Sequence, residues 1–496
     1  MCGLLCSSKD VRATAQQEGG PCTSICVKRR SLGDKQVASR ATDCAKWLPP
    51  HAHLVANYEL DMTEPPPPDD DSEDYVDDEM QRRLDMFDEN AIALDNQMAS
   101  SLPQIAAGDC SSGSASTAAS GSNQEQQQPP RRPFALRSFG SSVMHGAKVL
   151  SALPAASLTS LSCLLQMCSE PDFGPAAALA RLTNLRRLQI KEYAGKEWMR
   201  FVGALTRLTS LQARSNCNEG DLHQLPASLE RLELGRLYVN TGSSDDYEEE
   251  DSEEEEAAAQ AQDTQQQPGL RHLTRLTQLS LQLVEVYDDT HDRRLAERLP
   301  PQLLELTVRA TDGRDDACKV LPLLGGLTAL QQMQRLTLSN CCETQAGLLA
   351  LNSLTALSEI NLRYFQVLAD VPTSSAWAQL KQLRSLHIRS TIRPFGASDG
   401  GRGLQQVMAG VAAASGLCKL HLDFRNVDGV LRPKLFGYLT GLQQLQELHV
   451  KELARCGDCL QLLTQLRALT CLEVNDIHGS APTREQLAEF WKAVRG

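Results

Sequence analysis

The stretch LKQLRSLHI at residues 380–388 decides the fold. Its last two apolar residues, Leu386 and Ile388, stand two positions apart and therefore point the same way from a short strand. Leu380 and Leu383 precede them at three-residue steps, which suits a helical or turn-like segment that leads into the strand. One such copy cannot cover its own apolar face, so the pattern requires neighbours of the same kind.

Ten further copies of this template follow one another along the chain. Most of their ends are 21–30 residues apart, with one interval of 34 and one of 47. The eleven copies, in order, are LTNLRRLQI (182–190), LTRLTSLQA (205–213), LPASLERLEL (225–234), LTRLTQLSL (273–281), PQLLELTV (301–308), LQQMQRLTL (330–338), LTALSEINL (354–362), LKQLRSLHI (380–388), ASGLCKLHL (414–422), LQQLQELHV (442–450) and LRALTCLEV (466–474). A degenerate twelfth copy, LTSLSCLLQ, lies at 158–166.

The repeat region resembles the leucine-rich-repeat superfamily over about residues 155–478. The resemblance implies an α/β solenoid with a parallel sheet on a concave face and helices or loops on the convex face. The chain departs from the family three residues beyond the last apolar position, where Asn or Cys is usual and only Asn216 and Cys341 fit. We therefore expect irregular loops. A leucine-rich helical bundle is the alternative fold, and period-two endings such as LQI and LEV count against it.

The sequence divides into three parts. Residues 1–133 are predicted to be mostly disordered, with a low-complexity Ser/Ala/Gln/Pro linker at 109–133. The solenoid is predicted for residues 134–478, with an acidic disordered insert at 241–268 that accounts for the long interval. Residues 479–496 are predicted to form a closing helix that shields the last repeat.

An amphipathic helix is predicted at 74–100, because apolar residues from Val76 to Met98 recur at steps of three and four. Its other faces are strongly acidic, and such a helix is marginal alone in water. It packs either on this chain's own solenoid or, as a docking or self-association helix through residues 76–98, on a partner.

Charge is segregated along the chain, whose formal net charge is −13. Residues 59–99 carry 15 acidic and 2 basic side chains, and residues 245–256 carry 10 acidic and none basic; without these tracts 37 acidic residues face 47 basic ones. The insert is interpreted either as a disordered solubilising loop or as a competing pseudo-ligand that folds over the basic strands.

Three positions on each predicted strand face outward, which gives 33 positions over eleven repeats. Ten are basic and six acidic, so the concave face is mildly basic and suits an acidic protein partner. It is too mixed in charge and too poor in aromatic residues to favour nucleic acid. The basic residues are Arg187, Lys191, Arg214, Arg231, Arg309, Arg335, Arg363, Arg389, Lys419 and Lys451, and the acidic ones are Glu233, Glu305, Glu359, Asp423, Glu447 and Glu473. Partner contacts are predicted at these basic residues, Lys419 excepted, and at His387, His421 and His449. An ordinary solvated sheet face is the alternative.

The three histidines occupy the same strand position in successive repeats and should stack about 4.8 Å apart. Such a column forms either a hydrated polar ladder or a pH-responsive or metal-binding one. No cofactor or resident metal is predicted. Cys456 and Cys459 with Cys471 and His478 imitate zinc spacing, but Cys471 belongs to a strand while the other two cysteines lie in a loop.

Sequence motifs for catalysis are absent: we find no GxSxG, HExxH or kinase set. Scattered cysteines indicate reduced thiols, and the sequence contains no uncharged apolar stretch of about 20 residues, so we expect an intracellular, cytoplasmic protein without a membrane span.

The function predicted from the sequence is that of a non-enzymatic protein-interaction scaffold, with a cytoskeletal or ciliary-axoneme component as one setting. A second hypothesis is the substrate receptor of an F-box-type ubiquitin ligase, although residues 40–60 lack a recognisable F-box pattern. A third is a regulator that activates GTPases.

Overall fold

The structure is a computed structural model that describes most of the repeat region and short parts of the chain before it. The described residues are 24–28, 57–61, 136–144, 147–164, 174–191, 198–238, 269–284, 298–310, 326–339, 342–343, 349–363, 366–367, 374–390, 402–424, 432–451, 460–475 and 482–495. The chain divides into two compact units, Met1–Asn216 with Gln224–Leu229 and Cys217–His223 with Glu230–Gly496.

The three-residue leucine steps form tight turns. In the copy at 380–388, the Leu380 N–H donates to the Trp377 carbonyl and the Leu383 N–H to the Leu380 carbonyl, both at 3.1 Å. Because each bond links residues three apart, the leucines come to lie on one side of the turn. They are buried, and the same turn recurs from repeat to repeat.

A backbone ladder connects neighbouring repeats just before each strand. The N–H groups of Arg384 and Ser385 both donate to the Ser358 carbonyl, and those of Cys418 and Lys419 both donate to the Arg384 carbonyl. The same two-to-one arrangement recurs in most of the other repeats, and it satisfies loop backbone groups without an asparagine column.

Six parallel strands of the first unit pair in chain order. They are β1 (Ser24–Lys28), β2 (Asn57–Asp61), β3 (Ser138–Met144), β4 (Ser160–Leu164), β5 (Arg187–Ile190) and β6 (Ser210–Asn218). The sequence did not suggest β1 and β2, and they extend the sheet into the segment for which we predict mostly disorder.

Nine strands of the second unit form a parallel sheet, and two short strands pair beside it. The nine are β7 (Arg231–Tyr238), β8 (Gln278–Val284), β9 (Glu305–Ala310), β10 (Arg335–Ser339), β12 (Glu359–Arg363), β14 (Ser385–Ser390), β15 (Lys419–Phe424), β16 (Glu447–Lys451) and β17 (Cys471–Asn475). The short pair is β11 (Cys342–Glu343) with β13 (Gln366–Val367).

Helices or 3₁₀ turns lead from one strand towards the next. The helices are α1 (Ala147–Ala152), α2 (Gly174–Ala180), α3 (Trp198–Val202), α4 (Ser374–Gln379), α5 (Arg402–Ala412), α6 (Arg432–Leu439), α7 (Leu460–Leu463) and α8 (Arg484–Arg495), and the 3₁₀ segments are Glu219–Gln224, Leu327–Ala329 and Leu351–Ser353.

Helix α8 covers part of the last repeat. Its Phe490 and Val494 side chains are buried, and Arg467 donates to the Val494 carbonyl at 3.2 Å, which satisfies the helix C-terminus. At its start, the Thr483 hydroxyl and the Gln486 side chain exchange hydrogen bonds with each other's backbone N–H, forming a capping box.

The core is a column of leucines, and the fold is a leucine-rich-repeat solenoid, as the sequence predicts. All eleven template copies contribute one parallel strand, and the two strand residues that the template assigns to the core are buried in ten of them. In β17 the equivalent residues, Leu472 and Val474, are half-buried. The predicted helix at 74–100 and insert at 241–268 lie outside the described residues, as does the linker at 109–133. Within the described ranges, no helix has both the length and the apolar character needed to cross a bilayer.

Candidate functional site

In each unit, three rows of side chains run across the strands on the face opposite the leucine core, which we call the exposed sheet face of that unit. Because the strands are parallel and in register, equivalent template positions lie side by side. The first row contains the residue three before the last core position, the middle row the residue one before it, and the last row the residue one after it. All twelve contact residues predicted from the sequence lie in these rows: Arg187, Lys191, Arg214, Arg231, Arg309, Arg335, Arg363, Arg389, His387, His421, His449 and Lys451.

The first row of the second unit is an alternation of opposite charges. Arg335 on β10 lies between Glu305 and Glu359, with nitrogen–oxygen distances of 2.7 and 3.6 Å. Further along, the Lys419 ammonium contacts the Glu447 carboxylate at 2.9 Å. The basic charge of Arg335 and Lys419 is therefore neutralised by adjacent strands rather than available to a partner.

Three stacked histidines form the centre of the middle row. The ring centroids of His387 and His421 are 4.0 Å apart and those of His421 and His449 5.5 Å apart. On the far side, His449 Nδ1 lies 2.6 Å from a Glu473 carboxylate oxygen. The predicted column exists, and one end is held by an acid.

The surroundings of the column disfavour its charged form. Burial lowers the pKa of His387 to about 4, and the neighbouring His421 and the cationic Arg363 add to the effect, as do Arg389 and Lys451. Burial also lowers the pKa of His421. Both rings are therefore neutral at physiological pH.

The last row holds a buried acid among bases. Asp423 is 3% exposed, and its carboxylate lies 3.4 Å from Arg389 Nε. By register Asp423 is also the neighbour of Lys451 on β16, and Arg363 is the neighbour of Arg389 on β12. This row therefore carries three cations and one carboxylate from β12 to β16.

Two nitrogens next to this row are buried without a hydrogen-bond partner among the described residues: Arg363 Nε and His387 Nε2. Asn361 Oδ1 is also buried without a hydrogen-bond partner among the described residues, and Asn361 pairs with His387 by register. Unsatisfied buried polar atoms are uncommon in native structures, and a ligand bound here would supply the missing hydrogen bonds.

Among the described residues, every charged outward position on β5, directly after it and on β6 is basic. Arg187 and Arg214 are exposed and Lys191 is half-exposed, and no ion pair joins any of the three to another described residue. The remaining outward residues of these two strands are uncharged. We call Arg187, Lys191 and Arg214 the basic patch.

The sequence prediction counted charges over the whole face, whereas the structure distributes them unevenly. The outward positions of the second unit carry seven basic residues, namely Arg231, Arg309, Arg335, Arg363, Arg389, Lys419 and Lys451, and all six acidic ones. Most of the basic excess therefore belongs to the basic patch. Reading the template position by position would have revealed the opposite charges of successive repeats.

The described residues give little support for metal binding or for nucleophilic catalysis by cysteine. No group of three metal-ligating side chains is placed to hold an ion in the part of the chain that the structure describes. Burial raises the pKa of Cys163 and of Cys217 to about 12, so these thiols are poor nucleophiles. Cys456 and Cys459 lie outside the described residues.

Comparisons with known proteins give structural matches only. No family model matches the chain, and no curated protein matches it. Among solved structures it is similar to an internalin (inlF) of Listeria monocytogenes, with 17% identity, a TM-score of 0.33 and coverage of 72% of this chain and 78% of that one. A leucine-rich-repeat protein of Leptospira interrogans is 14% identical, with a TM-score of 0.36 and coverage of 68% of this chain and 79% of that chain. The mouse RP105/MD-1 complex is 15% identical, with a TM-score of 0.35 and coverage of 71% of this chain and 49% of that chain.

Proposed function

We propose that this leucine-rich-repeat chain is a non-enzymatic interaction scaffold that binds an acidic protein partner on the exposed sheet face. The observation that carries the proposal is the basic patch. Its three cations have no acidic neighbour on β5 or β6, whereas most cations of the second unit have one.

Uncompensated charge on a regular surface favours association with the opposite sign. Arg187, Lys191 and Arg214 project from two adjacent strands that the repeat core holds rigidly. A partner that supplies carboxylates at this spacing gains charge-assisted hydrogen bonds without ordering the scaffold. Strands with polar outward residues continue the surface, so a contact of ordinary size is available.

The test is capture of partners from cell extract by the full chain and by two charge-reversal variants. The first variant combines Arg187→Glu, Lys191→Glu and Arg214→Glu. The matched control combines Arg271→Glu, Lys381→Glu and Lys492→Glu, which are exposed residues outside the rows and change the net charge equally. We expect at least tenfold less partner with the first variant at low salt, and less than twofold change with the control.

Equal losses in both variants would show that net charge and not the basic patch governs binding, and no loss in either would contradict the proposal. Nuclease treatment of the extract distinguishes a protein partner from nucleic acid, because only a protein partner survives it. Unfolding curves of both variants establish that the repeats remain folded.

Mass spectrometry of the captured proteins separates the cellular settings. The axoneme hypothesis expects axonemal components, the ligase hypothesis expects ubiquitin-ligase subunits, and the GTPase hypothesis expects a GTPase whose hydrolysis the purified chain accelerates. Proximity labelling in cells reports the compartment, for which we expect the cytoplasm.

A further inference from the structure

Five side chains on four adjacent strands form a second basic feature, the histidine–arginine cluster. Its members are Arg363 on β12, His387 and Arg389 on β14, His421 on β15 and Lys451 on β16. They occupy the middle and last rows of the exposed sheet face. This cluster lies wholly within the second unit, whereas the basic patch lies in the first.

Two nitrogens of the cluster lack acceptors. Arg363 Nε always carries a proton to donate, and His387 Nε2 carries one in one neutral tautomer and in the charged ring. Both are buried without a hydrogen-bond partner among the described residues. They are diagonal neighbours on adjacent strands, since Arg363 pairs with Arg389 and His387 with Asn361, and the long arginine side chain allows one oxyanion to accept from both.

Four cations and four acids surround His387, and two of the cations, Arg363 and Lys451, make no ion pair with a described residue. On β12 the charged and titratable groups are Arg363 and Glu359; on β14, Arg389; on β15, Lys419, His421 and Asp423; on β16, Glu447, His449 and Lys451; on β17, Glu473. Most of the acids are already engaged. Glu359 contacts Arg335, Glu447 contacts Lys419, and Glu473 contacts His449, while Asp423 lies against Arg389.

We propose that the histidine–arginine cluster binds the oxyanion of an acidic peptide side chain, a carboxylate or a phosphoryl group, and that binding adds a proton to His387. The inference rests on the proposed function and names the chemistry that the exposed sheet face of the second unit recognises. Arg363 and His387 donate the hydrogen bonds, while Lys451 supplies charge.

The proton follows from the electrostatics of the site. In the free protein, burial lowers the pKa of His387 to about 4, with help from the surrounding cations. An anion bound at Nε2 opposes the field of those cations and stabilises the imidazolium, so the pKa rises. Because the bound state takes up a proton from solvent, affinity increases as pH falls between the bound and free pKa values.

A metal ion suits the same residues less well. Arg363, Arg389 and Lys451 surround the rings with positive charge, which repels a cation and attracts an anion. The stacked geometry also directs the ring faces of His387 and His421 at each other rather than their nitrogens at a common centre.

The experiment follows the histidine ring signals of the full chain by NMR after ¹³C-histidine labelling, from pH 8 to pH 5. The probes are a hexaglutamate peptide and a phosphoserine peptide of equal length, and His387→Asn assigns the signal. We expect one of the peptides to raise the pKa of His387 by about two units. In anisotropy measurements, wild-type affinity for that peptide should be at least threefold higher at pH 5.5 than at pH 7.5, and His387→Asn should lack this dependence.

Arg363→Gln tests the site and Arg271→Gln is its matched control. Arg271 belongs to the second unit, lies outside the rows, is exposed, and makes no ion pair with a described residue. Arg363→Gln should weaken peptide binding at least fivefold and Arg271→Gln less than twofold. A response to hexaglutamate identifies a carboxylate site, and a response to phosphoserine alone identifies a phosphoryl site.

The inference is overturned if neither peptide moves the His387 signal, or if Arg271→Gln weakens binding as much as Arg363→Gln. Its failure is distinguishable from failure of the proposed function, because partner capture depends on the basic patch. If the chain captures an acidic partner but neither peptide moves the His387 signal, the scaffold function stands and only the proposed oxyanion site is rejected.

Discussion

The imidazole rings of His387 and His421 stack with their centroids 4.0 Å apart and their planes inclined by 26°. This separation is shorter than the spacing of about 4.8 Å between adjacent strands, so the two rings lean towards each other. His449 lies further away, at 5.5 Å from His421, and its Nδ1 contacts Glu473 at 2.6 Å. The column is therefore a close pair with a third ring held by an acid.

Acidification should weaken the fold through His387. The pKa of this ring is about 4 in the folded chain against an ordinary value of 6.5, so the unfolded state binds the proton more readily. Stability is complete above pH 6.5 and declines as pH falls from 6.5 to 4. After a discount for partial exposure, the loss is about 1–2 kcal/mol.

Urea unfolding at pH 7.5, 5.5 and 4.5 measures this effect. His387→Gln should lose less stability on acidification than wild type, and the difference between the two curves removes the contribution of the carboxylates. Parallel losses in both proteins would show that the ring titrates normally.

Asp423→Asn should destabilise the second unit by about 1–3 kcal/mol, because Asp423 is 3% exposed and its loss leaves Arg389 with an uncompensated charge. Glu359→Gln removes an acid from the exposed pair with Arg335, at 3.6 Å, and should cost less than about 1 kcal/mol. Denaturant titration of both variants provides the comparison. Equal costs would mean that burial adds nothing to the Asp423 contact.

Leu445→Ala should cost about 2–5 kcal/mol, because Leu445 is fully buried in the leucine column and the truncation leaves a cavity. The same truncation at Leu462, which is 38% exposed, should cost less than about 1 kcal/mol. The measurement is the urea midpoint. A large loss at Leu462 would indicate that this side chain packs against something in solution.

Two glycine substitutions should act in opposite directions. A Cβ at Gly203 would lie 2.5 Å from the Gln224 carbonyl oxygen, so Gly203→Ala should destabilise the first unit by about 1–3 kcal/mol. Gly437 lies exposed in α6 with nothing within 4 Å of an added Cβ, so Gly437→Ala should stabilise by up to about 1 kcal/mol. Thermal unfolding checks both, and destabilisation by Gly437→Ala would contradict the helix assignment.

Deletion of residues 242–267 should raise affinity for the acidic partner at low salt if the insert is a competing pseudo-ligand. The reason is that its ten acidic residues compete with the partner for the same cations. The control replaces those ten residues with Ser and Gln at constant length, and it should raise affinity equally. Unchanged affinity in both variants, measured by anisotropy with the captured partner, leaves the insert as a solubilising loop.

The strand register could be predicted from the sequence because it depends on the positions of the leucines. Leucine positions two apart determine which side chains of a strand such as Ser385–Ser390 face the core, and the alternation then places His387 on the other face. The strands of the sheet before residue 155 were missed because no leucine template marks Ser24–Lys28 or Asn57–Asp61.

The sequence by itself determined the repeat, the parallel strands and the alignment of the three histidines, since all three follow from a local period that buried leucines enforce. Only the tertiary structure decided which charges remain available. Arg335 is neutralised by two neighbouring strands, whereas Arg187 has no such neighbour, and that difference depends on side chains brought together across repeats rather than along the chain. Coulomb interactions act through space, so a count of charges along the sequence could not reveal it.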